Sequence, residues 1–352
     1  MSQTGTPVPE VMESLLDRSD LLAYLRDTPR TKGGLIDDLG VSRTTIDRAV
    51  EQLESLDIVA DSPAGYRPTA TGTVATDRLH DLADDLADAS PNGGSRTDTA
   101  TTLDVLAVVF DRLDLLELLV EEPRTKPDLV AALDVSRSTV DRGLRRLETA
   151  GVIEYTDGRF VLTAMGERAV AGLGELQKTL QRRQELAPLL QWVPDETLDI
   201  DLAALAEAEL VVPAAGDPWA MVNRHVQLLR RLEDGRAILP LTGLHACEAL
   251  HERVVDAGAT FEVVVTRDVA DTFTENPEYA PLTEAMLATD RYDVYVHEGP
   301  IPYYLGLIDD TIQLGVDEDG EPRALLETGQ PAVAEWATDK YTTFRDQAEP
   351  LV

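Results

Sequence analysis

An internal repeat constrains this chain more than any other feature. The sequence Pro29-Arg30-Thr31-Lys32 recurs as Pro123-Arg124-Thr125-Lys126, an offset of 94 positions (123 − 29). At the same offset and without a gap, Val41-Ser42-Arg43 recurs as Val135-Ser136-Arg137, and the match extends to Gly72 and Gly166. A unit repeated over this length predicts two copies of one small fold in tandem.

Each copy has the pattern of three helices followed by a hairpin. Leucines three and four residues apart predict a first helix, which a proline ends, and Thr31 and Thr125 are suited to cap a short second helix. Ser42 and Ser136 follow a tight turn and are suited to cap a third helix with one apolar face. Apolar pairs on either side of a short glycine-containing turn then predict a two-stranded wing.

The order of these elements resembles the winged helix-turn-helix regulators of the ArsR and TrmB kind. The resemblance covers residues 11–80 and 104–170, and it is clearest in Leu-x-Val-Ser-Arg-x-Thr-Val-Asp-Arg at residues 133–142. It implies that the third helix lies in the major groove of double-stranded DNA and that the wing meets the backbone. The predicted DNA-binding residues are Arg43, Thr44, Thr45, Arg48, Arg67, Arg137, Ser138, Thr139, Arg142, Arg145, Arg146 and Arg159. Modules that contact only protein are the alternative.

The two copies differ in charge along the third helix. Between residues 42 and 54 two arginines stand against three acidic residues, whereas between residues 136 and 148 four arginines stand against two. Because phosphate contacts need positive charge, we expect the second copy to be the better DNA reader. We expect the first copy either to bind DNA weakly or to serve dimerisation. Residues 90–102 are rich in Ser, Asn, Gly and Thr and are predicted to link the copies.

The acidic composition of the whole chain opposes the prediction that it binds DNA. The chain carries 65 acidic and 31 basic residues, a formal net charge of −34, and so resembles the proteins of a salt-accumulating haloarchaeon. Such a charge argues against a nucleic-acid partner unless it is considered locally. The single cysteine excludes an intramolecular disulfide, no apolar run is long enough for a membrane span, and the first residues lack a secretory signal. We therefore expect a cytoplasmic protein.

The second half alternates strands and helices from about residue 209, which predicts an α/β domain with a central sheet. Segments such as Val211-Val212-Pro213 and residues 305–310 and 323–327 resemble the sensor domain of the methanogenesis regulator Fil family, related to the phospholipase D-like fold. The hydrolases of that fold use paired His and Lys residues two positions apart, and no histidine in this half is followed by such a lysine. The chain is therefore not predicted to be an enzyme.

The sequence signals for a cofactor site or an effector site are weaker than those for DNA binding. Cys247 and His251 share one helix face, but with too few further ligands nearby we predict neither a metal nor a cofactor. The loop 213–219 follows the first strand of the α/β domain, and Asp217 and Trp219 are its candidate ligand-binding residues. The alternative is that Asp217 caps the next helix while Trp219 packs inside.

These observations predict a homodimeric, DNA-binding transcriptional regulator on a palindromic operator, with a small-molecule effector. The expected domains are a first winged helix-turn-helix at 1–89, a linker at 90–102, a second at 103–170, a connecting helix at 171–190 and an α/β sensor at 191–352. Leucines along the connecting helix serve either intramolecular packing or dimerisation. A protein-interaction adaptor and, behind it, a ligand-modifying enzyme are the alternatives.

Overall fold

A computed structural model describes residues 7–26, 28–88, 97–193, 200, 202–205 and 207–351. The chain divides into two compact units, residues 1–181 and residues 182–352. Within the described residues, no helix combines the length and the apolar character that crossing a bilayer requires.

The first unit is mainly helical, with two short hairpins. Its elements are α1 (Val8–Asp17), α2 (Ser19–Leu25), α3 (Lys32–Leu39), α4 (Arg43–Ser55), β1 (Val59–Ala60), β2 (Arg67–Pro68), α5 (Ala70–Asp88), α6 (Thr97–Phe110), α7 (Leu113–Glu121), α8 (Lys126–Leu133), α9 (Arg137–Thr149), β3 (Ile153–Thr156), β4 (Arg159–Leu162) and the first part of α10 (Ala164–Leu190). The order of three helices and a hairpin thus occurs twice, as the repeat predicts.

The four predicted helix caps are confirmed. The hydroxyl of Thr31 accepts a hydrogen bond from the backbone of Gly34 at 3.2 Å, and Ser42 and Ser136 accept from the third residue after each of them, also at 3.2 Å. Thr125 forms a reciprocal capping box with Asp128. Each cap contributes about 1 kcal/mol to the start of its helix. The caps therefore fix where α3, α4, α8 and α9 begin.

The repeated Thr-x-x-Gly after each hairpin has a steric cause. A Cβ on Gly72 would lie 1.9 Å from the carbonyl oxygen of Ile58, and one on Gly166 would lie 2.1 Å from that of Val152. At both places the preceding threonine hydroxyl accepts a hydrogen bond from the glycine backbone. Only glycine lets the following helix approach its hairpin this closely.

Three helices of the first unit differ from the sequence-based expectation. α1 and α5 were not predicted, and α6 begins at Thr97, inside the predicted linker 90–102, of which residues 90–96 lie outside the described part. The reason is tertiary: Leu106, Leu79 and Met12, one from each helix, are buried in the core that both copies share. Packing of this kind stabilises α1, and it stabilises α5 and α6 although their Thr- and Asp-rich sequences have modest helix propensity.

The apolar stripe of α10 packs within the protein. Leu173, Leu176 and Leu180 are buried in the core of the first unit. The helix begins at Ala164, several residues before the predicted start at 171, because the Thr163 hydroxyl caps it directly after the second wing. Intramolecular packing, one of the two predicted alternatives, therefore accounts for these leucines.

The second unit, of mixed helices and strands, is built on one eight-stranded sheet. Its strands are β5 (Glu209–Val211), β6 (Asp234–Leu239), β7 (Thr260–Thr266), β8 (Tyr292–His297), β9 (Tyr304–Ile308), β10 (Thr311–Glu318), β11 (Glu321–Thr328) and β12 (Glu349–Pro350). They lie in the order β12-β8-β7-β6-β9-β10-β11-β5, with β6, β7 and β8 parallel and the other pairs antiparallel. The expected α/β domain with a central sheet is therefore present.

Helices pack against the sheet and form two hydrophobic cores with it. They are α11 (Ala220–Leu229), α12 (Leu244–His251) with a π-helical continuation at Glu252–Asp256, α13 (Arg267–Glu275), α14 (Ala280–Leu287) and α15 (Pro331–Asp346). Val263 and Val265 of β7 belong to one core and Val264 to the other, as the alternation of side chains along a strand requires. β11, β12 and α13 were missed, although the Asp319-Gly320 turn before β11 has the left-handed backbone typical of a hairpin.

Candidate nucleic-acid interface and ligand cavity

Helix α9 presents a basic face to solvent. Its apolar stripe of Val140, Leu144 and Leu147 is buried, which turns the opposite side outward. The exposed side chains on that side are those of Arg137, Ser138, Thr139, Arg142, Arg145 and Arg146. The structure thus brings all six predicted residues of this helix onto one accessible surface.

Most of these arginines have no acidic partner. Among the described residues, Arg137, Arg142 and Arg145 form no ion pair, whereas Arg146 lies 3.4 Å from Asp111. The one carboxylate on the helix near this face, Asp141, is paired with Lys126 at 2.5 Å. The hydrogen bond from Lys126 holds the pKa of Asp141 below its ordinary value, with nearby arginines adding to the effect. The face therefore carries a net positive charge that is free to meet an external anion.

The corresponding face of α4 is weaker. Asp47 is shared between Lys32 at 3.0 Å and Arg43 at 3.9 Å, which leaves Arg48 as the one arginine of α4 without an ion pair in the described part of the chain. Glu51 and Glu54 are exposed on the same helix. Thr44 and Thr45 are also exposed, and the Thr45 hydroxyl shares a 2.8 Å hydrogen bond with the cap serine. The difference in charge between the copies thus persists in three dimensions.

Each of the two hairpins carries one exposed arginine. Arg67 is exposed on β2, and Arg159 is exposed on β4, where its guanidinium donates a 2.9 Å hydrogen bond to the carbonyl of Pro123. Tyr155 is 58% exposed and packs against Phe160, with ring centroids 4.9 Å apart. Tyr155 was not predicted as a site residue, because the alternation of side chains along β3 puts it on the same side as the buried Ile153.

A separate feature of the second unit is an apolar cavity of about 280 Å³. It lies between α11, α12 and one face of the sheet, and aliphatic and aromatic side chains make up most of its wall. They include Leu229, Leu239, Leu250, Phe261, Phe273 and Tyr292. The loop after β6, which leads to the start of α12 at Leu244, contributes Thr242 and Gly243. Cavities of this size and lining are typical of small-molecule sites.

One wall of the cavity carries a polar chain. The imidazole Nδ1 of His225 lies 2.9 Å from the amide oxygen of Gln313, and the hydroxyl of Tyr304 donates to the same oxygen at 3.3 Å. The amide nitrogen of Gln313 donates to Glu327 at 2.9 Å. Glu327 in turn accepts two hydrogen bonds from Arg224, at 2.5 and 3.1 Å. The chain leads from a surface ion pair to two rings that line the cavity.

Burial favours the neutral form of the histidine, tyrosine and cysteine side chains at the cavity. Burial lowers the pKa of His225, although the hydrogen bond with Gln313 opposes this, and burial raises the pKa of both Tyr292 and Tyr304. Burial also raises the pKa of the Cys247 thiol to about 11. Burial alone would raise the pKa of Glu327, but the hydrogen bonds from Arg224 and Gln313 lower it, so the charge of the chain stays at its outer end.

The predicted loop 213–219 meets the cavity through one residue. Trp219 is 61% exposed and lines the cavity, whereas Asp217 is not among the lining residues. The carboxylate of Asp217 accepts a 3.2 Å hydrogen bond from Asn223. The alternative interpretation of this loop is wrong, because α11 begins at Ala220 without a side-chain cap and Trp219 is not packed inside.

His225, Gln313 and Tyr304 were not predicted as a group. They are up to 88 positions apart and meet only through the pairing of β9 with β10 and the packing of α11. One signal was present: Gln313 interrupts an apolar strand and is fully buried, which requires a hydrogen-bonding partner.

Comparison with solved structures gives only loose likenesses. An archaeal chromatin protein, TrmBL2, covers 70% of this chain and 93% of its own at 11% identity and a TM-score of 0.30. NucT from Helicobacter pylori and Nuc from Salmonella typhimurium, a phospholipase D family member, each cover 41% of this chain and 98% of their own at 13% identity, with TM-scores of 0.34 and 0.33. At these scores the likenesses assign neither fold nor function. Among curated proteins, none matches the chain.

Family models match both halves. Residues 10–90 and 100–185 match the HVO_A0261 N-terminal domain, and residues 218–347 match the middle domain of the methanogenesis regulatory protein FilR1. The resemblance to a regulator with a Fil-type domain is thereby confirmed. The chain thus carries a FilR1-like domain after an HVO_A0261-like N-terminal region, and the two matches support an archaeal transcriptional regulator with a FilR1-like domain.

Proposed function

We propose that this regulator binds double-stranded DNA through two winged helix-turn-helix modules, one in each copy of the repeat. The observation that carries the proposal is the exposed face of α9, where Arg137, Arg142 and Arg145 have no acidic partner within the described residues. A capped helix of this kind fits the major groove, with its first turns at the base edges. Arg67 and Arg159 on the hairpins are positioned to meet the sugar-phosphate backbone.

The second module is the principal reader in this proposal. Arg137, Arg142 and Arg145 of this module supply contacts to phosphates or bases, while Asp141 on the same helix is paired with Lys126. The first module, with Asp47, Glu51 and Glu54 on or beside its docking helix, adds weak DNA contacts or serves dimerisation. Because helix-turn-helix proteins match their own two-fold symmetry to two half-sites, the proposal includes a homodimer on a palindromic operator.

The second unit is the effector domain in this proposal. Its cavity has the size and apolar lining of a small-molecule site, and Trp219 lies at the cavity on the loop that sequence analysis selected. The sheet is proposed to be phospholipase D-like without the paired catalytic residues of that fold. The function requires no catalytic group and no cofactor.

The proposal is tested by selecting ligands for the full chain from a random library of duplex DNA at high KCl, followed by footprinting of the enriched sequences. We expect one palindromic motif, with half-sites separated by about one helical turn, roughly 10 base pairs, or a multiple of it. Enrichment of an undivided site would remove the dimer from the proposal. Absence of any enriched sequence would contradict specific DNA binding, and the protein-interaction alternative would take its place.

A further inference from the structure

We propose that the cavity of the second unit binds an uncharged, largely apolar small molecule that donates one hydrogen bond to Nε2 of His225. The inference rests on the proposed effector role of this unit and names the chemical class of its ligand. It follows from the volume of the cavity, the apolar character of its walls and the tautomer that the polar chain imposes on His225.

Volume sets the size of the ligand. An engineered apolar cavity of roughly 150 Å³ holds one benzene molecule. In proportion, about 280 Å³ accommodates roughly 11 non-hydrogen atoms. A bicyclic aromatic compound or a short branched aliphatic alcohol has this size, whereas a nucleotide or a coenzyme is too large to enter completely.

The apolar walls of the cavity disfavour an ion in its interior. Lining residues such as Leu250, Phe261 and Phe273 are apolar, and the thiol of Cys247 is neutral. The one carboxylate in the lining, Asp317, already accepts a hydrogen bond from the backbone of Gly320, and it would repel an anion. Moving an unpaired ion into such surroundings costs several kcal/mol, so a neutral molecule is favoured.

The polar chain fixes what His225 offers to the ligand. Because Glu327 accepts from the amide nitrogen of Gln313, the amide oxygen of Gln313 faces His225 as an acceptor. The imidazole must therefore carry its proton on Nδ1, which leaves Nε2 as a lone-pair acceptor. Nε2 has no hydrogen-bond partner among the described residues, although the His225 ring lines the cavity. Nε2 of this half-buried ring can therefore accept a hydrogen bond from a ligand hydroxyl or N–H group in the cavity.

Four naphthalene compounds test the inference by calorimetric titration of the full chain without DNA. They are 2-naphthol, which donates a hydrogen bond, 2-methoxynaphthalene, which cannot donate, naphthalene, which has no polar group, and 2-naphthoate, which is an anion. We expect 2-naphthol to bind about tenfold more tightly than 2-methoxynaphthalene or naphthalene, and 2-naphthoate to bind most weakly. Equal or tighter binding of any of the other three, or no binding of 2-naphthol, would overturn the proposal.

Variants locate the binding and identify the acceptor. His225→Phe keeps an aromatic ring but removes Nε2, and it should abolish the preference for 2-naphthol, whereas Gln313 still accepts from Tyr304. Ala246→Phe fills the cavity and should prevent binding, while Ala332→Phe, on the exposed side of α15, should not change it. An unchanged preference in His225→Phe, or unchanged affinity in Ala246→Phe, would contradict the assignment.

Cys247 provides a readout that needs no variant, because it is the single cysteine of the chain and lines the cavity. Saturating 2-naphthol should slow its alkylation by N-ethylmaleimide at least about fivefold, whereas an unchanged rate would place the ligand elsewhere. DNA affinity of His225→Phe without ligand separates the two proposals. Suppose that His225→Phe and the unaltered protein bind DNA equally well and that neither of them prefers 2-naphthol. The proposed ligand class is then wrong, whereas the proposed DNA-binding function stands.

Discussion

Single residues in this chain act mainly through close approach and unpaired charge. Gly72 and Gly166 let a helix begin against its hairpin, and Arg142 and Arg145 form no ion pair within the part of the chain that the structure describes. Both kinds of residue were visible in the sequence, the glycines as part of the repeat and the arginines as a charge pattern. The physical reason for each became visible only in the structure. No sequence pattern shows, for example, that a Cβ on Gly166 would lie 2.1 Å from the carbonyl oxygen of Val152.

The steric role of Gly166 predicts the effect of replacing it. Gly166→Ala places a methyl group against the Val152 carbonyl, so we expect a loss of about 2 kcal/mol or more in the free energy of unfolding of the first unit. Gly174→Ala is the matched control, because it lies in the same helix with no atom within 4 Å of its Cβ position. It should be neutral or stabilising by up to about 1 kcal/mol. Thermal unfolding followed by circular dichroism distinguishes the two, and an equal melting midpoint for both would contradict the close-contact explanation.

At the scale of elements, the sequence predicted helices best where local patterns, such as a capping residue followed by an apolar stripe, occur in both copies. Caps at Thr31, Ser42, Thr125 and Ser136 and the apolar stripes between them predicted α3, α4, α8 and α9. α1 and α5 were missed because their stability depends on the shared core of the first unit. The cavity was missed for a related reason, since its polar wall comes from α11, β9 and β10, which meet only in the folded sheet.

The contrast between α4 and α9 leads to a prediction about the two modules. Because Arg43 is engaged by Asp47 and acidic residues flank Arg48, Arg43→Ala/Arg48→Ala should lower operator affinity less than about tenfold. Arg137→Ala/Arg142→Ala on α9 makes the same change of charge and should lower it more. Quantitative footprinting of both double variants provides the comparison. A larger loss from the α4 variant would reverse the order of the modules.

At the scale of the whole molecule, a net charge of −34 opposes an anionic partner. The opposing field extends over a Debye length, which is about 10 Å at 0.1 M salt and about 3 Å at 1 M. The arginine face of α9, by contrast, acts only at contact distance. Salt therefore changes the long-range repulsion between the protein and DNA differently from the contacts that this face makes. A halophilic origin stays a prediction, but the separation of these two effects does not depend on it.

This separation predicts an unusual salt dependence of association. Raising KCl from about 0.1 to 1 M should increase the rate constant for binding operator DNA, because repulsion is screened before contact is made. It should also increase the dissociation rate constant, because phosphate contacts weaken. Stopped-flow fluorescence with labelled operator measures both. An association rate that falls with salt, as for ordinary basic DNA-binding proteins, would show that the overall charge does not govern the encounter.

The central claim is that α9 is the DNA-reading helix, and the affinity of Arg142→Ala/Arg145→Ala for the selected operator tests it most directly. Fluorescence anisotropy of the full chain at one fixed salt concentration should show a loss of at least about 30-fold, since each base or phosphate contact contributes about 1–3 kcal/mol. Arg230→Ala/Arg231→Ala removes the same charge from exposed positions in the second unit and should change affinity less than about twofold. Unchanged binding in the α9 variant, or an equal loss in the control, would contradict the claim.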